Sequence, residues 1–106
     1  VKAVEYLISA ISKLPESKQR QLIHLSTDFV FDGENGPYRE EDAPNPLSYY
    51  AETKLQAEEL VKKCEFPWAI VRTIIVYGVA DAMSRSNIVL WAKDALGKGQ
   101  ALNIVD

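Results

Sequence analysis

Apolar residues at Val1, Val4, Leu7 or Ile8, Ile11 and Leu14 recur every three to four positions, the spacing of a helix with one buried stripe. A helix is predicted from Val1 to about Leu14, ended by Pro15 and the polar run Glu16 to Gln19. The run Gln21-Leu22-Ile23-His24-Leu25-Ser26 hardly alternates, which predicts a short strand covered on both faces, as in a parallel sheet. From Asp32 to Leu47 the pattern vanishes. Asp32-Gly33 and Asn35-Gly36 are turn pairs, and Pro37, Pro44 and Pro46 keep the chain extended.

Helical spacing returns after Ser48, a good N-cap, and predicts a helix to about Cys64 with Tyr50, Lys54, Ala57 and Val61 on one stripe. Phe66-Pro67 breaks it. Trp68 to Thr73 reads as a second buried strand, Tyr77-Gly78 as the exit of the loop that follows, and Ser86-Asn87 as the start of a third helix ended by Gly97 and Gly99. Ala101 to Val105 is a last strand candidate. Helix and strand therefore alternate, and the fold class is α/β with a parallel sheet and right-handed crossovers. Ligands in such sheets bind beyond the carboxyl ends of the strands, where the loops after Ser26 and Thr73 fall. No capping residue precedes Val1, and the chain stops at Ile104-Val105-Asp106 with no closing helix, so a piece of a larger protein is expected.

Composition narrows the function classes. With 47% hydrophobic and 25% charged residues, the 106-residue chain has the make-up of an ordinary soluble domain. Its net charge of -3 and scattered lysines and arginines offer no surface for nucleic acid. Cys64 is the single cysteine, which excludes an internal disulfide and suits a reducing, cytoplasmic setting. No Cys/His cluster is spaced for a metal, and no apolar run approaches a membrane span. Glu40, Glu41 and Asp42 lack a regular ligand spacing and read as a solvated loop; His24, inside an apolar run without a partner residue, reads as a packed side chain.

The chemistry concentrates between Ser26 and Lys54. Of the five tyrosines only Tyr50 has a lysine four residues on, Lys54. A phenol with an ordinary pKa of about 10 shuttles protons poorly near neutrality, and an ammonium beside it favours the phenolate. One helical turn brings such an ammonium close. Thr27, at the end of the preceding strand, is placed to polarise a reacting oxygen as a second donor.

Ser26-Thr27-Asp28-Phe29-Val30-Phe31-Asp32-Gly33, Pro37-Tyr38-Arg39-Glu40-Glu41-Asp42, Pro46-Leu47, Tyr50-Ala51-Glu52-Thr53-Lys54-Leu55, Val71-Arg72-Thr73, Val76-Tyr77-Gly78 and Ser86-Asn87-Ile88-Val89 together resemble the extended short-chain dehydrogenase/reductase family, in particular its dTDP-4-dehydrorhamnose reductase branch. The resemblance implies a partial Rossmann-like doubly wound sheet lacking the N-terminal glycine-rich βαβ unit. Residues 1–80 would be the C-terminal half of the dinucleotide-binding domain and 81–106 the start of the substrate-binding region. It implies NADPH or NADH as cofactor and a nucleotide-linked 4-keto sugar as substrate. Thr27, Tyr50 and Lys54 would be catalytic, Ser26, Tyr50, Lys54 and Thr73 would contact the cofactor, and Asp28, Phe29, Ile75 and Asn87 would line the substrate site. Phe29 and Ile75 stand where the reductases often carry a tyrosine and a tryptophan, and Phe29 stands where related dehydratases carry the glutamate that elimination needs. Carbonyl reduction is expected first, epimerisation second. A regulatory subunit of methionine adenosyltransferase is similar over the same stretch, which gives a partner-binding alternative. Without the glycine-rich turn, this polypeptide alone is expected to bind cofactor poorly, and its open strand edge and apolar faces predict association, a homodimer among the outcomes.

Overall fold

The computed structural model describes residues 1–16, 19–78 and 87–102. The chain divides into two compact units, Val1–Ile74 and Ile75–Asp106. The first unit contains α1 (Lys2–Ser12), β1 (Leu22–Thr27), a 3-10 turn (Asp28–Val30), α2 (Tyr49–Lys62) and β2 (Trp68–Thr73). The two strands are parallel and pair in the register Leu22↔Trp68 to Thr27↔Thr73, so their carboxyl ends finish level.

Each element forms for a local reason. The amide of Ala51 donates to Ser48 Oγ at 3.1 Å, which caps α2 at the predicted residue. No side chain caps α1, whose N-cap residue is Val1. Of the two registers its sequence allows, α1 uses Val4, Ile8 and Ile11, which pack on a core of Leu22, Val61 and Phe66. Leu7 stays exposed. After Leu14, Glu16 takes a left-handed φ of 61° to turn the chain, a conformation that costs a non-glycine residue about 1 kcal/mol. Ile70 and Cys64 complete this small core.

Two sequence expectations need correcting, and one is that Trp68 to Thr73 forms a second buried strand: β2 has no buried residue, and Trp68 and Val71 are exposed. The continuous apolar run of β1 predicts cover on both faces, yet Leu22 and Ser26 are buried on one face while on the other only the terminal Thr27 is. Ile23 and Leu25 point the other way and are 60% and 61% exposed. The cause is one-sided packing within the first unit: α1 and α2 rest on the Leu22 side, and no other described element of that unit covers the reverse.

In the second unit, α3 (Ile88–Gly97) begins at Asn87, whose Oδ1 accepts from the amides of Val89 at 3.1 Å and Leu90 at 3.2 Å. It ends with Gln100 N donating to Ala95 O at 2.9 Å and Gly99 N to Leu96 O at 3.0 Å. That double bond pattern needs a left-handed residue after the cap, and Gly99 supplies it at φ 68°. The strand expected over Ala101 to Val105 falls largely outside the described residues.

Candidate active site at the carboxyl end of the strands

β1 delivers Ser26 and Thr27, both buried, to the carboxyl end of the sheet. Opposite them in register stand Arg72 and Thr73, and Thr73 Oγ1 donates to the carbonyl of Ser26 at 3.2 Å. Thr27 Oγ1 accepts from Phe29 N at 3.2 Å, capping the 3-10 turn, and donates to Asp28 Oδ1 at the same distance. The hydroxyl can serve an incoming oxygen by exchanging that Asp28 acceptor for it. Phe29 is 64% exposed beyond the turn, while Val30 inserts into the core.

α2 brings its first turns to the same end. Lys54 Nζ donates to the Leu25 carbonyl at 2.9 Å, two residues before Thr27. This bond spans 29 residues of sequence and ties the helix start to the strand end. An ammonium carries three donors, so two remain for another ligand. Tyr50, one turn earlier, is 55% exposed, and its hydroxyl makes no hydrogen bond among the described residues. Its side chain is therefore not buried in packed hydrocarbon. Ile75 and Asn87 belong to the second unit; Ile75 is exposed, and Asn87 caps α3 while its Nδ2 donates to Gly78 O at 2.7 Å.

His24 lies on the covered face of β1, and its Nε2 is buried without a hydrogen-bond partner. Burial first, then the charge of Lys54, holds its pKa below the usual imidazole value, with Glu58 opposing. No carboxylate orients the ring as a general base, so it reads as a packed neutral side chain. Burial likewise pushes the Cys64 thiol up, away from reactivity. Among the described residues no group of His, Cys, Asp and Glu could hold a metal ion, and no helix is long and apolar enough to cross a membrane.

Two charged residues in the first unit were invisible as a pair in the sequence. Glu58 on α2 is fully buried, and Arg72 of β2 grips it with Nε to Oε1 at 3.0 Å and Nη2 to Oε2 at 2.7 Å. Burial pushes the Glu58 carboxyl up, but the Arg72 hydrogen bonds and charge outweigh it, and its pKa lies below the usual carboxylate value. Ser26 Oγ, buried nearby, helps favour the ionised carboxylate without reaching standard hydrogen-bond geometry. The available signal was an acid four residues after Lys54, on a stripe that otherwise turns apolar.

The loop after the 3-10 turn is held by Asp32, whose carboxylate accepts from the Tyr38 hydroxyl, from Glu34 N at 3.0 Å and from Asn45 Nδ2 at 2.9 Å. Asn45 N closes the loop onto Val30 O at 2.8 Å. These bonds, Tyr38 first, hold the Asp32 pKa down to about 2.

Known proteins share much of this sequence. Methionine adenosyltransferase 2 subunit beta from Bos taurus is 44% identical over 69 residues, 65% of this chain and 21% of the relative. The same subunit from Danio rerio is 44% identical over 68 residues, 63% of this chain and 21% of the relative. Spore coat polysaccharide biosynthesis protein SpsK from Bacillus subtilis is 42% identical over 59 residues, 55% and 21% of the two chains. The chain thus spans about a fifth of the length of the curated relatives it matches. No solved structure matches. The RmlD substrate binding domain family matches over residues 3–106, and the chain belongs to that family.

Proposed function

We propose that the protein carrying this chain reduces the 4-keto group of a nucleotide-linked 6-deoxy sugar with NADPH or NADH, as a dTDP-4-dehydrorhamnose reductase does. The observation that carries the reading is the Lys54 to Leu25 bond, which brings the Tyr50 helix to the strand end that bears Thr27. Thr27 would grip the carbonyl oxygen through its hydroxyl, and Tyr50 would deliver a proton to that oxygen. Lys54 would favour the phenolate left behind, while its two remaining N–H donors fit the ribose hydroxyls of a dinucleotide lying across the strand ends. Ser26 and Thr73 would border the nicotinamide, and the bound cofactor would supply hydride to the carbonyl carbon. Asp28, Phe29, Ile75 and Asn87 would contact the sugar nucleotide. Phe29, an apolar side chain at the mouth of the site, supplies no acid or base for elimination, which favours reduction, with epimerisation next.

The test is Tyr50→Phe in the natural protein, with oxidation of NADPH or NADH followed spectrophotometrically in the presence of a nucleotide-linked 4-keto sugar. Turnover should fall at least about a hundredfold with KM within about threefold, because only a transition-state proton transfer is removed. Turnover equal to that of the parent refutes the assignment. The relatives named as methionine adenosyltransferase 2 subunit beta favour a second reading, a subunit that acts by binding a catalytic partner. A stable stoichiometric complex with a methionine adenosyltransferase, with no ketosugar-dependent cofactor oxidation, would select it.

A further inference from the structure

Arg72 spends its guanidinium on three segments at once. Its Nε and Nη2 hold Glu58 of α2, its Nη1 donates to the carbonyl of Glu40 at 3.0 Å, and its plane lies 5.0 Å over the Phe31 ring. Phe31 in turn stacks on Tyr38 with centroids 4.5 Å apart. Glu58 sits one turn beyond Lys54, Phe31 follows Thr27 by four residues, and Glu40 lies in the loop that leads to the Ser48 cap. The helix with Tyr50 and Lys54, the strand end with Thr27 and the loop joining them therefore meet at one side chain of β2. A buried ion pair recovers little net stability over an apolar pair of the same volume, so its use is better sought in the geometry it enforces.

We propose that Arg72, locked by Glu58, is a positioning residue that clamps the 31–47 loop and the body of α2 against the sheet, and so sets where Tyr50, two turns before Glu58 on the same helix, stands relative to Thr27. The proposal rests on the reductase reading above and adds a residue that touches none of the reacting atoms. A fork of planar donors is required. Lysine has the charge but neither the bidentate grip nor the flat face for Phe31.

The test compares Arg72→Met/Glu58→Leu and Arg72→Lys with the parent in the natural protein. The double variant removes both charges at similar volume, so no lone buried ion is left. It should fold, with amide exchange at Asp42 and Asn45, which bond Arg39 O and Val30 O, accelerated about tenfold or more. Its kcat should drop about tenfold or more while KM moves less than about threefold, the split expected when a proton donor is misplaced and the binding groups are kept. A folded double variant with kcat within about twofold of the parent overturns the proposal. If the parent shows no turnover on any 4-keto sugar nucleotide, the reductase reading fails alone, and exchange at Asp42 and Asn45 decides the clamp: acceleration upholds it and parental rates overturn it. If the double variant does not fold, Arg72→Lys is read by the same two measurements.

Discussion

Phe66→Ala probes what holds the first unit together. Phe66 is almost completely buried against Leu22 and Val61, and these three side chains are the surface on which Val4, Ile8 and Ile11 of α1 rest. No residue of α1 is itself buried, so the helix depends on that surface. Truncating a buried phenylalanine costs about 3–5 kcal/mol, from lost transfer energy and the cavity that remains. A unit the size of Val1–Ile74, at about 0.05–0.15 kcal/mol per residue, has about 4–11 kcal/mol in total. The loss is therefore about a third of the stability at the upper end of that range, and most of it at the lower end. Urea denaturation followed by circular dichroism should show a midpoint lowered by at least about 1.5 M if m is about 1–2 kcal/mol/M. Hydrogen exchange should show the α1 amides losing protection before those of β1. Phe66→Leu, which keeps most of the volume, should cost no more than about 1.5 kcal/mol. A loss below about 1 kcal/mol for Phe66→Ala, with m unchanged, would refute the view that this cluster anchors α1.

Ser48→Ala removes the oxygen that accepts from Ala51 N and should lower stability by about 1 kcal/mol, whereas Ser48→Gly should cost only a few tenths; equal losses by urea titration would refute capping as the cause. Gly33 has φ 84° and open space within 4 Å of where a β-carbon would sit, so Gly33→Ala should cost about 1 kcal/mol through backbone strain alone, again read from the urea midpoint. His24 is neutral in the fold because its pKa is lowered, so the unfolded chain binds a proton more readily. Its contribution is fully present above about pH 6.5 and is lost as pH falls through its folded value; His24→Gln should flatten that limb of a stability-pH curve. Asp32 follows the same sign lower down, its contribution present above the ordinary carboxylate value and lost as pH falls through about 2, so loop amides should begin to exchange faster only in strong acid.

Much of the fold was legible because it rests on local rules. β2 occupies the stretch that apolar patterning and the Phe66-Pro67 break defined, and α2 starts where Ser48 can cap it. α3 stops where Gly99 can adopt a positive φ. What escaped depends on tertiary partners. Glu58 looks like any surface helix former until Arg72 comes across from β2, 14 residues later, to satisfy both its oxygens. The 3-10 turn at Asp28–Val30 has no periodic signature; it forms because Thr27 Oγ1 caps Phe29 N. Lys54 followed from its one-turn spacing to Tyr50, but its bond to the Leu25 carbonyl needed the parallel strand and helix to be in place. The uncovered Ile23 and Leu25 show the limit of pattern reading: an apolar run reports what a strand needs, and one-sided packing by α1 and α2 decides what it receives.

The pairing of Glu58 with Arg72 also constrains how this chain can diverge. A lineage that loses the acid strands a guanidinium under α2, and one that loses the guanidinium strands a carboxylate, so either single change is penalised before the second can compensate. Positions 58 and 72 should therefore change together or not at all among descendants, and an engineer recombining segments of related chains should keep α2 and β2 from the same parent.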